Sequence, residues 1–169
     1  MASERTELLR RTNFWHELLA LRDRQREARK SAIQVVKGSE LPQELNPQGL
    51  MRWYLHPSIT DTMLTTLLFF EQEIAPGSRS GRYKFQGEQV MYILEGRGYT
   101  LLDGVKYRWE AGDVLNLPIR KKGIVVQHVN EDPAKPARFI AAEPNFLHCT
   151  GVDRGSGFEQ IEDAPEYRR

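Results

Sequence analysis

At 169 residues, 40% of them apolar, the chain is long enough for one domain with its own core and cramped for a second. Lys+Arg 24 against Asp+Glu 23 leaves a net charge of +1, which excludes a general electrostatic drive onto nucleic acid or an anionic membrane. The single cysteine, Cys149, excludes a disulfide framework and a Cys-rich zinc site, and the lack of a signal-like or membrane-length apolar run predicts a soluble, cytoplasmic protein.

Leu8, Leu9, Phe14, Trp15, Leu18, Leu19 and Leu21 recur at three- and four-residue spacing, which predicts a helix over residues 4–30. Its second half, Arg22 to Lys30, is almost entirely polar and reads as a solvated face. The apolar stripe needs a cover, either the outside of the following domain or a second subunit, and a homodimer is expected. Gly, Pro, Asn and Ser between Gly38 and Gly49 mark a linker, so residues 1–49 form a helical extension.

From Trp53 the signals turn to strand. Met63–Ile74, Val90–Leu94, Tyr99–Leu102, Val105–Trp109, Val114–Leu117, Ile124–Val129 and Ala137–Ala141 are short apolar or alternating runs, and Asp103-Gly104 is a two-residue hairpin signature. Short strands at this spacing predict an all-β antiparallel sandwich or barrel over residues 50–145. The stretch 146–169, rich in Gly and then acidic, reads as a covering arm.

The strings Pro76-Gly77, Val90-Met-Tyr-Ile-Leu-Glu-Gly96, Tyr99 to Asp103-Gly104, Trp109-Glu-Ala-Gly-Asp113 and Leu117-Pro118 come in order. Followed by Asn130 and Pro136-Ala-Arg-Phe139, they resemble the two signature motifs of the cupin family. The resemblance implies a jelly-roll β-barrel with a small-molecule site at its mouth, and a dimer. It also implies four metal-ligand positions, which in metal-dependent cupins hold two histidines one residue apart, a glutamate and a third histidine. Here those positions fall on Tyr83, Phe85, Gln89 and Val126. Phenol, phenyl, amide and isopropyl groups make a poor set for a transition metal, so neither a metal nor another cofactor is expected.

Shifting the frame by one residue puts Glu88 in the glutamate position and Arg82 and Lys84 in the histidine positions, as candidates to hold an anionic substrate. Gln89 and Tyr92 must face opposite sides of one strand, so one of them enters the barrel unless a bulge intervenes. Arg120-Lys121-Lys122 lengthens the loop after Pro118 and would bring positive charge if it reached the mouth.

Among the histidines, His16 reads as a surface or packing residue of the extension and His56 as a loop residue before Pro57. His148 beside Cys149 is not a chelating pattern. His128 stands two residues past Val126 and so shares its face, which makes it either a ligand contact or a core imidazole.

The leading expectation is a metal-independent cupin that binds a small aromatic or anionic molecule. His128 and Tyr83 are its catalytic candidates for a proton-transfer reaction of the isomerase, cyclase or lyase type, and Phe85, Gln89, Tyr92, Val126, Arg82 and Lys84 its substrate-binding candidates. Two alternatives stay open. One is a mononuclear-metal dioxygenase of the gentisate or quercetin type, with a displaced site built from His128 and His56, His148 or Glu88. The other is a non-catalytic subunit paired with an active homologue. No nucleic-acid or membrane partner is expected.

Overall fold

A computed structural model of the chain describes residues 3–145 and 159–167. The chain divides into two units, one formed by residues up to Gln34 with Asp61–Met63, the other by Val35–Thr60 and the chain from Leu64 onward.

In the first unit the helix expected over residues 4–30 is two helices, α1 (Glu4–Arg11) and α2 (Phe14–Lys30). Thr12 takes an extended conformation, and the Asn13 side chain then accepts the His16 backbone N–H at 3.1 Å, which starts a new helix. A side-chain oxygen satisfying an orphan donor costs little, so a Thr-Asn pair can break a continuous apolar stripe. No residue of either helix is buried. The backbone N–H of Ile33 donates to Asp61 at 2.9 Å and ties the Asp61 turn to this unit.

The second unit is the expected all-β jelly roll, built from two antiparallel sheets. The six-stranded sheet runs β1 (Glu44–Asn46), β2 (Gly49–Leu55), β3 (Leu67–Ile74), β10 (Ala137–Pro144), β5 (Gln89–Glu95) and β8 (Val114–Leu117). The five-stranded sheet runs β11 (Glu159–Glu162), β4 (Arg82–Phe85), β9 (Ile124–Asn130), β6 (Arg97–Leu102) and β7 (Val105–Glu110). The sheet therefore begins at Glu44, inside the stretch read as linker. Of the arm expected over 146–169, residues 159–162 pair with β4, while 146–158, including His148 and Cys149, lie outside the described residues.

Period-two alternation builds the core. On β5, Gln89, Met91 and Ile93 are buried while Val90, Tyr92 and Leu94 are exposed, and β10 alternates in the same way from Ala137 to Glu143. Met91, Ile93 and Phe139 from one sheet are packed in one cluster with Phe85, Ile124 and Val126 from the other. Each such side chain stabilises the fold by roughly 1.5–3 kcal/mol. The β6–β7 hairpin turns at Asp103 and Gly104, both at positive φ, as the dipeptide requires. Gly98 is needed for a different reason, because a Cβ there would meet the Val129 carbonyl oxygen at 2.0 Å and the Trp109 ring at 2.7 Å.

Asn130, a marker of the second motif, is a buried clamp. Its Nδ2 donates to the carbonyls of Ile74, Ala75 and Lys135 at 3.2, 3.1 and 2.8 Å, and its Oδ1 accepts from the Asp132 N–H at 3.0 Å. No helix among the described residues is long and apolar enough to cross a membrane.

Candidate functional site

A cavity of about 380 Å³ opens within the second unit, lined by residues of β1, β2, β3, β10 and β5 from the six-stranded sheet and of β4 and β11 from the five-stranded sheet. Met51, Trp53, Leu68 and Phe70 give it an apolar wall, with the Trp53 and Phe70 rings 5.1 Å apart. They reach it because β2 and β3 alternate, so the intervening residues of each strand face away. Amides from Asn46, Gln48, Gln72, Asn145 and Gln160 line the remainder with His56.

Beside the apolar wall, on the same sheet, stand Gln89 from β5 and Glu143 from β10, the cross-strand partner of Leu68, and Tyr83 comes from β4 of the other sheet. Gln89 Nε2 donates to Glu143 Oε2 at 2.6 Å in a buried, charge-assisted hydrogen bond. Burial drives the Glu143 carboxyl up to about 7, against the opposing effect of that bond. Tyr83 is raised well above the ordinary phenol value, first by burial and then by the charge of Glu143, with its bond to Gln89 opposing. The phenol is therefore a neutral hydrogen-bond donor, while the carboxyl sits near the pH at which it can both take and give a proton.

Of the catalytic and substrate-binding residues expected from the sequence, Tyr83 and Gln89 line the cavity and the other six do not, while His56 of the displaced-site alternative lines it too. Phe85 and Val126 face inward as their positions imply, but into the core. Tyr92 is 45% exposed on the outer face of β5, so the Gln89/Tyr92 alternative resolves in favour of Gln89. Arg82 and Lys84 occupy the face of β4 opposite Tyr83 and Phe85, with Arg82 3.7 Å from Glu162. The shifted frame fails for the same reason, since Glu88 is exposed, at φ 67°, and outside the cavity lining. The Arg120–Lys122 loop joins Gln86 through backbone and side-chain bonds, and none of its residues lines the cavity.

His128 is buried in the core, 5.0 Å from the Phe139 ring and 6.5 Å from that of Tyr83. Trp109 Nε1, which can only donate, gives its hydrogen to Thr100 Oγ1 at 3.0 Å, and that hydroxyl lies 2.8 Å from His128 Nδ1. A hydroxyl has one proton and two lone pairs, so the sense of its bond to Nδ1 follows the imidazole tautomer. Burial lowers the His128 pKa to about 3, so the ring is neutral. An imidazole held this way, off the cavity, is not placed to exchange protons with a ligand there.

Sequence reasoning missed Glu143. The signal was strand parity: Ala137, Phe139 and Ala141 face inward, so residue 143 does too, and a carboxylate on a core face calls for explanation.

The cupin metal positions do not fit a metal here. They present a neutral phenol, a phenyl ring, an amide already engaged with Glu143 and an isopropyl group. Among the described residues no three of His, Cys, Asp and Glu come together to hold an ion, and His148 of the displaced site lies outside them.

No family model matches the chain. A 5-aminosalicylate 1,2-dioxygenase from Comamonas sp is 27% identical over 117 residues, 69% of this chain and 29% of that protein. An uncharacterized protein from Methanocaldococcus jannaschii is 34% identical over 71 residues, 41% of this chain and 55% of that protein. The matches thus span well under two thirds of either relative. Among solved structures, the polyketide cyclase from Streptomyces resistomycificus is similar at a TM-score of 0.55 and 18% identity, over 66% of this chain and 79% of that one. A salicylate 1,2-dioxygenase variant from Pseudoaminobacter salicylatoxidans, in complex with gentisate, is similar at 0.55 and 15% identity, over 70% of this chain and 31% of that one. An RmlC-like cupin from Shewanella frigidimarina is similar at 0.51 and 16% identity, over 67% and 91%. These are likenesses of fold.

Proposed function

We propose, on the premise that the chain is a cupin by fold, that it binds a small ring-bearing molecule in the Tyr83–Gln89–Glu143 cavity and acts on it by proton transfer without a metal. The observation that carries this reading is the convergence of a neutral phenol and a carboxyl near 7 in one cavity, beside the apolar wall of Met51, Trp53, Leu68 and Phe70. Tyr83 polarises a carbonyl or hydroxyl oxygen by donating to it. Glu143, oriented by Gln89, removes a proton from the neighbouring atom and returns it elsewhere on the same molecule. Such a step isomerises, cyclises or dehydrates and consumes no oxidant. The acid/base role expected of His128 passes to Glu143.

A second reading, ring cleavage by a dioxygenase, is favoured by the match to the Comamonas enzyme. It requires a redox metal that the donor set does not suit.

Thermal-shift and calorimetric screening of small hydroxy- and oxo-aromatics, followed by product analysis, tests the proposal. Glu143→Gln and Tyr83→Phe should each retain binding and lose about 10²–10⁴-fold in turnover. Turnover unchanged in both would remove the assignment.

A further inference from the structure

We infer that the cavity selects an uncharged aromatic molecule bearing a hydroxyl or carbonyl group and rejects aromatic carboxylates. The inference rests on reading the cavity as a ligand site and says what that site admits. It narrows the expectation of an aromatic or anionic ligand to a neutral aromatic one.

The argument begins with charge. Among the described residues that line the cavity there is no lysine or arginine, and Glu143 is the one carboxyl. Strand alternation explains the missing cations. Met51 and Trp53 point in, so Arg52 between them points out and bonds Glu71 at 3.0 Å. Tyr83 points in, so Arg82 and Lys84 point out. On β10 the parity that buries Glu143 turns Arg138 outward, to Glu95 at 3.2 Å and Glu71 at 3.7 Å. The guanidinium groups of β2, β4 and β10 thus all meet carboxylates away from the cavity.

The other titratable groups facing the cavity add no positive charge. Tyr83 is neutral or anionic, never cationic. His56 Nδ1 accepts the Ser58 backbone N–H at 3.1 Å, a bond only the neutral imidazole can make. Glu143 forms no ion pair among the described residues, and its carboxyl is held by a neutral amide donor. A ligand carboxylate would have to shed its water, meet no cation among the described lining residues and face Glu143 across a low-dielectric space. A phenol or amide meets none of these costs. Its ring lies against Trp53 and Phe70, and its polar end meets Tyr83, Gln89 and Glu143.

The test uses matched pairs that differ in charge and little else: salicylamide with salicylate, benzamide with benzoate, 2-naphthamide with 2-naphthoate. Affinities are measured by calorimetry on the full chain at about pH 8, for wild type and Glu143→Gln. The Met51 and Leu68 methyl resonances report whether a compound occupies the cavity. Amides should shift both resonances and bind at least about tenfold more tightly than their carboxylates, and the gap should narrow to within about threefold in Glu143→Gln. Carboxylates that shift these methyls and bind as tightly as the amides would overturn the selectivity while leaving the ligand site standing. A gap unchanged in Glu143→Gln would overturn Glu143 as its source. Failure of every pair to move the Met51 and Leu68 methyls would overturn both the selectivity and the ligand-site reading.

Discussion

Glu143 carries a cost that can be read out by pH. Its carboxyl is raised from 4.5 to about 7 by burial, so the native state holds a proton that the unfolded chain gives up earlier. Its contribution is full below pH 4.5 and is lost as pH rises through 7. A shift of this size corresponds to roughly 3–4 kcal/mol. Glu143→Gln should therefore gain stability over wild type progressively between pH 4.5 and 7 and hold a constant advantage above that, as measured by urea denaturation. A stability difference that does not vary with pH would show that the carboxyl is not buried as described. His128 has the opposite sign. Its pKa falls from 6.5 to about 3, so its contribution is present above 6.5 and lost as pH falls through 3. His128→Asn leaves the Thr100 hydroxyl without its imidazole partner, and should cost about 1–3 kcal/mol. Ligand affinity should stay within about threefold of wild type, since a group off the cavity makes no contact to lose. Lost affinity at near-native stability would return His128 to the site.

At the scale of elements, α1 and α2 present Leu8, Phe14, Trp15 and Leu18 at 56–66% exposure on a surface otherwise full of charge. An apolar stripe of this kind gains by covering, and a second copy of the chain offers the same stripe in return. Removal of residues 1–37 should convert a dimer to a monomer in sedimentation or light-scattering mass measurements. A truncated chain with the mass state and stability of the full chain would assign the helices no part in assembly. β4 makes a different point. Four residues long, it carries Tyr83 to the cavity and Arg82 away from it, so a one-residue register change would exchange phenol for guanidinium and set a cation beside Glu143.

For the molecule as a whole, the two sheets form a jelly-roll frame in which the positions that the family resemblance assigns to metal ligands hold Tyr83, Phe85, Gln89 and Val126. Protein purified without added metal should contain far less than one transition-metal ion per chain by elemental analysis. Prolonged exposure to a chelator should leave ligand binding unchanged. A stoichiometric metal whose removal abolishes binding would favour the dioxygenase reading instead.

Much of this was legible in the residues themselves. Alternation located β5, β6, β7, β9 and β10, Asp103-Gly104 marked its hairpin, and motif order implied the jelly roll, because each of these signals is local or repeats with the strand period. Tyr83 and Gln89 were placed correctly by the same parity. The break at Thr12-Asn13 was hidden by an apolar spacing that continues across it, while the capping chemistry of one side chain decided the outcome. What only the tertiary structure decided is the partnership of Gln89 with Glu143, 54 residues apart, and the burial that brings that carboxyl to about 7. It also decided that His128 is sealed by Thr100 and Trp109 rather than open to the cavity. Parity tells which face a side chain takes; how deep it lies, and what charge stands opposite, depend on strands brought together from distant parts of the chain.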